Sequence, residues 1–175
     1  MTMKLDPVID SAVYRRVLGH YPTGVCVVTA TLSDGQRAAM VVGSFTSVSL
    51  DPPLVGFLPD ISSTSWPQIE RAGKFCVNIL ANDQQELCRR FSAKGADKFV
   101  GMSHQLSTNG SPVLDNVVAW IDCSLYKVYE AGDHYIALGR VQEMDIVRPE
   151  QPLLFFRGGY GSFAPLLEKD SDQDR

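Results

Sequence analysis

Two hydroxyl-rich clusters bracket one apolar stretch in VGSFTSVSLDPPLVGFLPDISSTSW, residues 42–66. Ser44, Thr46, Ser47 and Ser49 form the first; Ser62, Ser63, Thr64 and Ser65 form the second. Hydroxyls both donate and accept hydrogen bonds, so the pair suits a polar, anionic group held between them. Side chains alternate in a regular strand, sending Ser44 and Thr46 to one face and Ser47 and Ser49 to the other. One hydroxyl face therefore needs an irregular strand, or a ligand that also uses the backbone. Residues 62–65 precede an expected helix start, where free N–H groups and the helix dipole attract anions. A phosphate fits there; the alternative is that Ser65 only caps the helix and its neighbours fill a turn.

Further along, Arg89, Arg90, Lys94 and Lys98 surround Phe91-Ser92-Ala93. They could balance a phosphate's charge, although alone they read as a solvated helix face. His134 follows a turn in Gly132-Asp133-His134-Tyr135, where a side chain can project over a barrel mouth. It could hydrogen-bond a ligand amide or titrate near neutral pH, or be an ordinary surface histidine. The Gly158-Gly159-Tyr160-Gly161 cluster follows a strand near the C-terminus and reads as a flexible turn. The chain has no G-x-G-x-x-G between a strand and a helix, no phosphate-binding G-x-x-x-x-G-K-[ST] loop and no G-x-S-x-G elbow.

The elements that must position these residues are mostly strands. Residues 10–21 read as a helix capped by Asp10 and stopped by Pro22. GVCVVTAT (24–31) is β-rich, Ser33-Asp34-Gly35 is a hairpin turn, and residues 36–42 return. Residues 44–50 are extended, Asp51-Pro52-Pro53 interrupts the ladder, and residues 54–58 resume it. Residues 65–72 make a short helix, with Ser65 and Gln68 spaced as a capping box and Pro67 in the first turn. FCVNIL (75–80) is a strand, and residues 82–93 a helix capped by Asn82 or Asp83. Residues 95–112 are weakly patterned, with a helical turn at 97–102. Two long strands, 119–130 and 134–147, flank a turn, and 153–157 is a last strand. Short hairpin-linked strands with few helices indicate an antiparallel barrel with peripheral helices, not a doubly wound sheet.

A length of 175 residues suits one domain over residues 1–166, with a polar tail at 167–175. The net charge of -4, without a basic stripe, argues against nucleic acid. No apolar run approaches a membrane span, and the N-terminus lacks a secretory signal. Cys26, Cys76, Cys88 and Cys123 form no C-x-x-C pair and read as buried hydrophobes in a reducing cytoplasm. With His20, His104 and His134 they do not cluster at metal-ligand spacing, so no metal is expected.

Taken in order, YPTGVCVVTA, SFTSVSLDPPLVGF, SSTSW, FCVNILANDQQELCRRFS, DKF, GDHYIALGRV and LLFFRGGYGSF resemble the short-chain flavin reductases, the reductase components of two-component flavin-dependent monooxygenases. The resemblance spans residues 10–165. The serine-rich strand running into Asp-Pro-Pro, together with Gly-Asp-His, is its specific part. It implies an FMN-binding split β-barrel, usually a homodimer. Residues Ser44, Phe45, Thr46 and Ser47 would lie along the isoalloxazine and ribityl chain of FMN or FAD. Ser62, Ser63, Thr64 and Ser65 would hold the phosphate end, and Ala93, Lys98 and Phe99 would complete the site, within one chain or across the dimer interface. His134, with Tyr160 as neighbour, would contact the nicotinamide of NADH or NADPH. Gly43 departs from the Asn or Gln of many relatives, leaving the choice of FMN or FAD and the tightness of binding open. The last segment is closest to reductases serving hydroxylases of phenol-like and steroid-derived rings.

The implied activity is NAD(P)H:flavin oxidoreduction, with reduced flavin released to a separate oxygenase. Hydride passes directly between cofactors, so no protein nucleophile is called for. Two alternatives stand beside it: a non-catalytic flavin-binding protein for storage or sensing, and a tightly bound FMN electron-transfer flavoprotein.

Overall fold

A computed structural model describes residues 9–93, 95 and 97–166. Lys94 and the tail at 167–175 lie outside the described residues.

Helix α1 (Ser11–Leu18) starts where the sequence indicates: the Asp10 carboxylate accepts from the N–H groups of Ala12 and Val13 at 2.7 and 3.1 Å. It stops three residues before Tyr21, because Gly19 takes the C-cap and bonds back to Arg15. Strand β1 (Thr23–Gly24) precedes β2 (Cys26–Thr31). The expected turn follows: Gly35 has φ +82°, and the Asp34 carboxylate accepts from Gln36 N–H at 3.0 Å. Strand β3 (Arg37–Val42) then pairs back on β2, Thr31 opposite Arg37.

Strands β4 (Thr46–Leu50) and β5 (Pro53–Phe57) form a hairpin with Leu50 opposite Pro53. Pro53 thus joins the strand that was expected to resume at Leu54. As first residue of the strand its missing N–H costs little. After α2 (Trp66–Ala72) and β6 (Lys74–Ile79) comes α3 (Gln85–Ser92). Neither Asn82 nor Asp83 caps α3. Gln84 holds that position, and the Asp83 carboxylate binds the Arg148 guanidinium at 2.5 and 3.1 Å instead.

The weakly patterned stretch contains an unforeseen hairpin, β7 (His104–Leu106) with β8 (Pro112–Leu114). Strands β9 (Ala119–Ala131) and β10 (His134–Ile146) turn at Gly132-Asp133. Strand β11 (Leu153–Phe156) pairs with β12 (Gly159–Ser162), so most of the glycine-rich cluster is strand rather than turn. The turn is Arg157-Gly158, whose φ values of +50° and +80° match the two positive-φ positions of a tight hairpin.

The seven-stranded sheet runs β3-β2-β6-β9-β10-β5-β4. All its pairings are antiparallel. The expected mainly-β fold with peripheral helices is present. Its hydrogen bonding does not close: β3 and β4 are the sheet's two edges. A smaller sheet, β1-β11-β12, continues beside it.

Both faces of β2 are covered, and its residues alternate between two cores. Cys26, Val28 and Ala30 join Phe57, Trp66, Ile69, Phe75 and Val77. Val25 and Val27 join Leu80, Phe91, Phe99, Leu114 and Leu153. The first core seats α2. Phe57 meets Trp66 and Phe75 edge-on, with ring centroids 5.7 and 5.3 Å apart. Each such fully buried side chain contributes roughly 1.5–3 kcal/mol. Gly139 makes room for Phe75, since a Cβ there would lie 2.4 Å from the Phe75 ring.

Between the strands sits a polar network. The buried Asn78 amide donates toward the Val27 and Pro112 carbonyls and accepts from Leu114 N–H at 2.8 Å, while the Thr29 hydroxyl donates to Pro112 at 2.5 Å. It pins β8 across β2 and β6. The four cysteines are buried and free. Burial pushes the Cys26 and Cys123 thiols up to about 12.

Candidate functional site

A cavity of about 1070 Å³ lies where β3 faces the start of α2 and the chain after α3. Packing of Trp66 and Ile69 fixes α2, and with it the preceding turn of residues 62–65. Phe91, on the buried face of α3, meets Phe99 with centroids 5.2 Å apart and so fixes the third wall. The hydroxyls of residues 62–65, Ala93, Lys98 and Phe99 all line this one space. These residues lie up to 37 positions apart in sequence, since 99 minus 62 is 37. Residues of β3, Arg37 among them, supply the remaining wall.

Ser65 does not form the expected capping box: its side chain makes no cap bond. Ser63 does that work two residues earlier, accepting from the N–H groups of Ser65 and Trp66 at 3.3 and 3.2 Å. Gln68 bonds the Thr64 carbonyl at 3.0 Å. Ser62 donates through its N–H and its hydroxyl to the Asp60 carboxylate, at 2.6 and 2.7 Å. Those bonds, helped by His134, hold the Asp60 carboxyl below its ordinary range. The Thr64 and Ser65 hydroxyls keep no protein partner among the described residues, and so remain available to a ligand in the cavity.

The basic residues divide by role. Arg90 donates to the carbonyls of Lys98 (2.8 Å) and Val100, which clamps the segment bearing Phe99. Arg89 pairs with Glu86 at 2.5 Å. Lys98 reaches the Phe91 carbonyl at 2.7 Å, and burial lowers its ammonium below the usual range. Lys94 lies outside the described residues.

Residues 44–47 do not line this cavity. The Ser44 hydroxyl accepts from Leu58 N–H at 2.9 Å, tying the approach to β4 to the end of β5. Thr46 and Ser47 are exposed, Phe45 packs partly on the first core, and a register shift breaks β4 between Ser47 and Ser49. The strand is thus irregular where the hydroxyls crowd. At Gly43 a Cβ would come within 2.9 Å of the Thr23 hydroxyl, so Thr23 fills the space a side chain would need.

His134 is joined to the cavity through Asp60, with which it forms an isolated bridge. Ile61 N–H bonds the Asp133 carbonyl at 3.0 Å, and Tyr135 N–H the Pro59 carbonyl at 2.9 Å. The His134 ring is half exposed, its Nδ1 2.7 Å from the Asp133 carboxylate. Tyr160 is elsewhere. It lines a second cleft of about 410 Å³ with Asn82, Asp83 and Leu153, and its hydroxyl lies 3.2 Å from the Cys88 sulfur. That bond raises the phenol's pKa. Tyr160 and His134 line no common cavity among the described residues.

Sequence reasoning missed Asp60 and Arg37. Asp60 had a signal, an aspartate two residues before a serine, the spacing of an Asx turn. Arg37 had none, since only tertiary packing makes β3 a cavity wall. Among the described residues no three His, Cys, Asp or Glu side chains gather to hold a metal. No helix among them is long and apolar enough to cross a membrane.

This arrangement can hold an elongated anion: neutral hydroxyl donors at one wall, cations and an aromatic ring at another. Known proteins give it a context. The chain is 61% identical over 158 residues to a flavin reductase of Pseudomonas putida, covering 90% of this chain and 93% of that protein. It is 47% identical over 157 residues to the reductase subunit HsaB of a flavin-dependent monooxygenase from Rhodococcus jostii, covering 90% and 80%. The solved structure of the NADH:FAD oxidoreductase SgcE6 from Streptomyces globisporus, in complex with NAD and FAD fragments, superposes with a TM-score of 0.84. That match has 34% identity and covers 97% of this chain and 99% of that one. The family model described as flavin reductase like domain matches residues 18–164, and the chain belongs to that family.

Proposed function

We propose that this chain reduces FMN or FAD with NAD(P)H and supplies the reduced flavin to a separate monooxygenase. The observation that carries the reading is the shared cavity of residues 62–65, Ala93, Lys98 and Phe99, in a chain so similar to named flavin reductases. The donor set suits a flavin nucleotide: the unpartnered Thr64 and Ser65 hydroxyls for phosphate, with Lys98 close by. The nicotinamide and flavin rings supply the hydride chemistry between them, and the protein supplies position.

Ser62, Ser63, Thr64 and Ser65 receive the phosphate end. Asp60 and Ser63 hold that turn in shape, so binding does not have to order it. Ser44, Phe45, Thr46 and Ser47 lie along the ribityl chain and ring. Ser44 positions this strand through Leu58, and its neighbours offer backbone N–H groups to negative charge on the ring. His134, held on the Asp60 bridge, orients the nicotinamide. Hydroxyls at the phosphate end bind more weakly than an arginine cluster would, which suits a flavin that must leave.

The chain works as a homodimer in this reading. Helix α1 leaves Val13, Tyr14, Val17 and Leu18 exposed, an apolar face wanting a partner. In this reading a second copy brings Tyr160 to His134 as the nicotinamide neighbour. Four buried, free thiols suit a reducing cytoplasm.

NADH oxidation under air, with FMN, FAD or no flavin added, tests the assignment. Oxidation that requires added flavin and saturates with it is expected. Flavin binding without NADH oxidation would make the protein a storage or sensing module. Flavin retained through extensive dialysis would make it an electron-transfer flavoprotein.

A further inference from the structure

At about 1070 Å³ the cavity sits at the top of the ~300–1,000 Å³ range of small-molecule sites. One wall of it runs from Gly35 to Val41, with Arg37 toward one end, and β3 spans about 16 Å at ~3.3 Å per residue. A flavin ring placed toward the Val41 end of that wall, as the proposed role of residues 44–47 requires, leaves Arg37 most of a strand's length away. We propose that Arg37 selects FAD over FMN, its guanidinium engaging the diphosphate and adenosine that only the dinucleotide carries. This rests on the flavin-reducing function proposed above.

Among the described residues, the neighbouring cations are committed elsewhere. Arg89 is paired with Glu86, Arg90 clamps the carbonyls of Lys98 and Val100, and Lys98 is drawn to the Phe91 carbonyl. Arg37 has no carboxylate partner among the described residues. Its guanidinium carbon lies 5.8 Å from the centroid of Phe99. Phe99 is buried and braced edge-on by Phe91 and His104, with centroids 5.2 and 5.7 Å away. The ring therefore holds the guanidinium by its face and leaves the N–H fork open.

Charge also points to Arg37. Asp60 and Asp97 line the same cavity. Each is turned onto local donors, Ser62 and Phe99 N–H, but both still repel a diphosphate. A second anionic group beyond the 62–65 turn needs a local cation, and Arg37 is placed to be it.

The test is separate titration of FMN and FAD into the purified chain and into its R37Q and R37K variants, read by flavin fluorescence at low and high salt. Arg37 is exposed on an edge strand, and matching thermal melts show that the variants fold. R37Q is expected to weaken FAD by ~10–100-fold, the worth of a charge-assisted hydrogen bond, and FMN by less than about two-fold. R37K is expected to fall between, and the FAD loss to shrink with salt. Unchanged FAD affinity, or equal losses for both flavins, overturns the role of Arg37 and leaves the function standing. A wild-type chain that binds neither flavin overturns the function itself.

Discussion

Two polar regions of this molecule are built on opposite plans. The Asn78–Thr29 network is sealed, and its amide and hydroxyl point only at protein backbone and at each other. The turn of residues 62–65 is divided. Ser62 and Ser63 are spent on Asp60 and the start of α2, while Thr64 and Ser65 line the cavity with side chains that have no partner among the described residues. A buried polar group left unpaired costs about 1–3 kcal/mol, so the interior leaves few: the Thr31 hydroxyl, the Trp66 Nε1 and one Asp122 oxygen among the described residues. The turn meets solvent, pays no such penalty, and keeps its open hydroxyls for a ligand. Fold polarity and ligand polarity are thus separable by substitution.

The largest expected effect is on the sealed side. Asn78→Leu leaves the Leu114 N–H without its acceptor and puts apolar bulk against the Pro112 carbonyl. Stability is expected to fall by about 2–4 kcal/mol, read as a lower urea midpoint at unchanged slope. Flavin affinity of the folded protein should stay within about two-fold. A collapse of affinity at unchanged stability would break the comparison.

On the open side, Thr64→Asp places a carboxylate on the cavity wall while leaving Ser63 to cap α2. Flavin affinity is expected to drop at least ~10-fold, as like charges meet, with little change in melting temperature. Wild-type affinity would remove the phosphate from this turn. A smaller effect is expected at His134, whose ring stands beside the cavity rather than within it. His134→Ala should raise KM for NADH about five-fold, one hydrogen bond's worth, with flavin affinity unchanged. An unaltered KM would end the nicotinamide role.

The legibility of the sequence divides along locality. The Asp10 cap, the Asp34-Gly35 turn and the β9–β10 hairpin rest on neighbouring residues, and all are legible. The capping error at α2 is a shift of two residues, because Ser63 and Ser65 offer the same chemistry. Asp83 was lost to Arg148, 65 residues away, a pairing no local pattern records. The β7–β8 hairpin has three-residue strands, too short for alternation to show. Serine density marked the phosphate turn, yet nothing in residues 37–41 marked a cavity wall, since that role exists only once α3 folds its far end against β3.

The smallest effect concerns the acid that shapes the open turn. Asp60 accepts twice from Ser62 and feels the His134 ring, so its folded pKa lies below the ordinary 3.8. A carboxyl depressed on folding stabilises the native state above its unfolded pKa, and that contribution fades as pH falls from there through the lower folded value. Asp60→Asn, which keeps an acceptor for Ser62 but cannot titrate, should therefore flatten the acid limb of stability below about pH 4. Urea midpoints at neutral pH and near pH 3 would show it. Because Asp60 is exposed, the change should be slight. An acid limb as steep as wild type would mean that solvent screens the carboxylate fully, and that the Ser62 hydrogen bonds shape the turn without regard to charge.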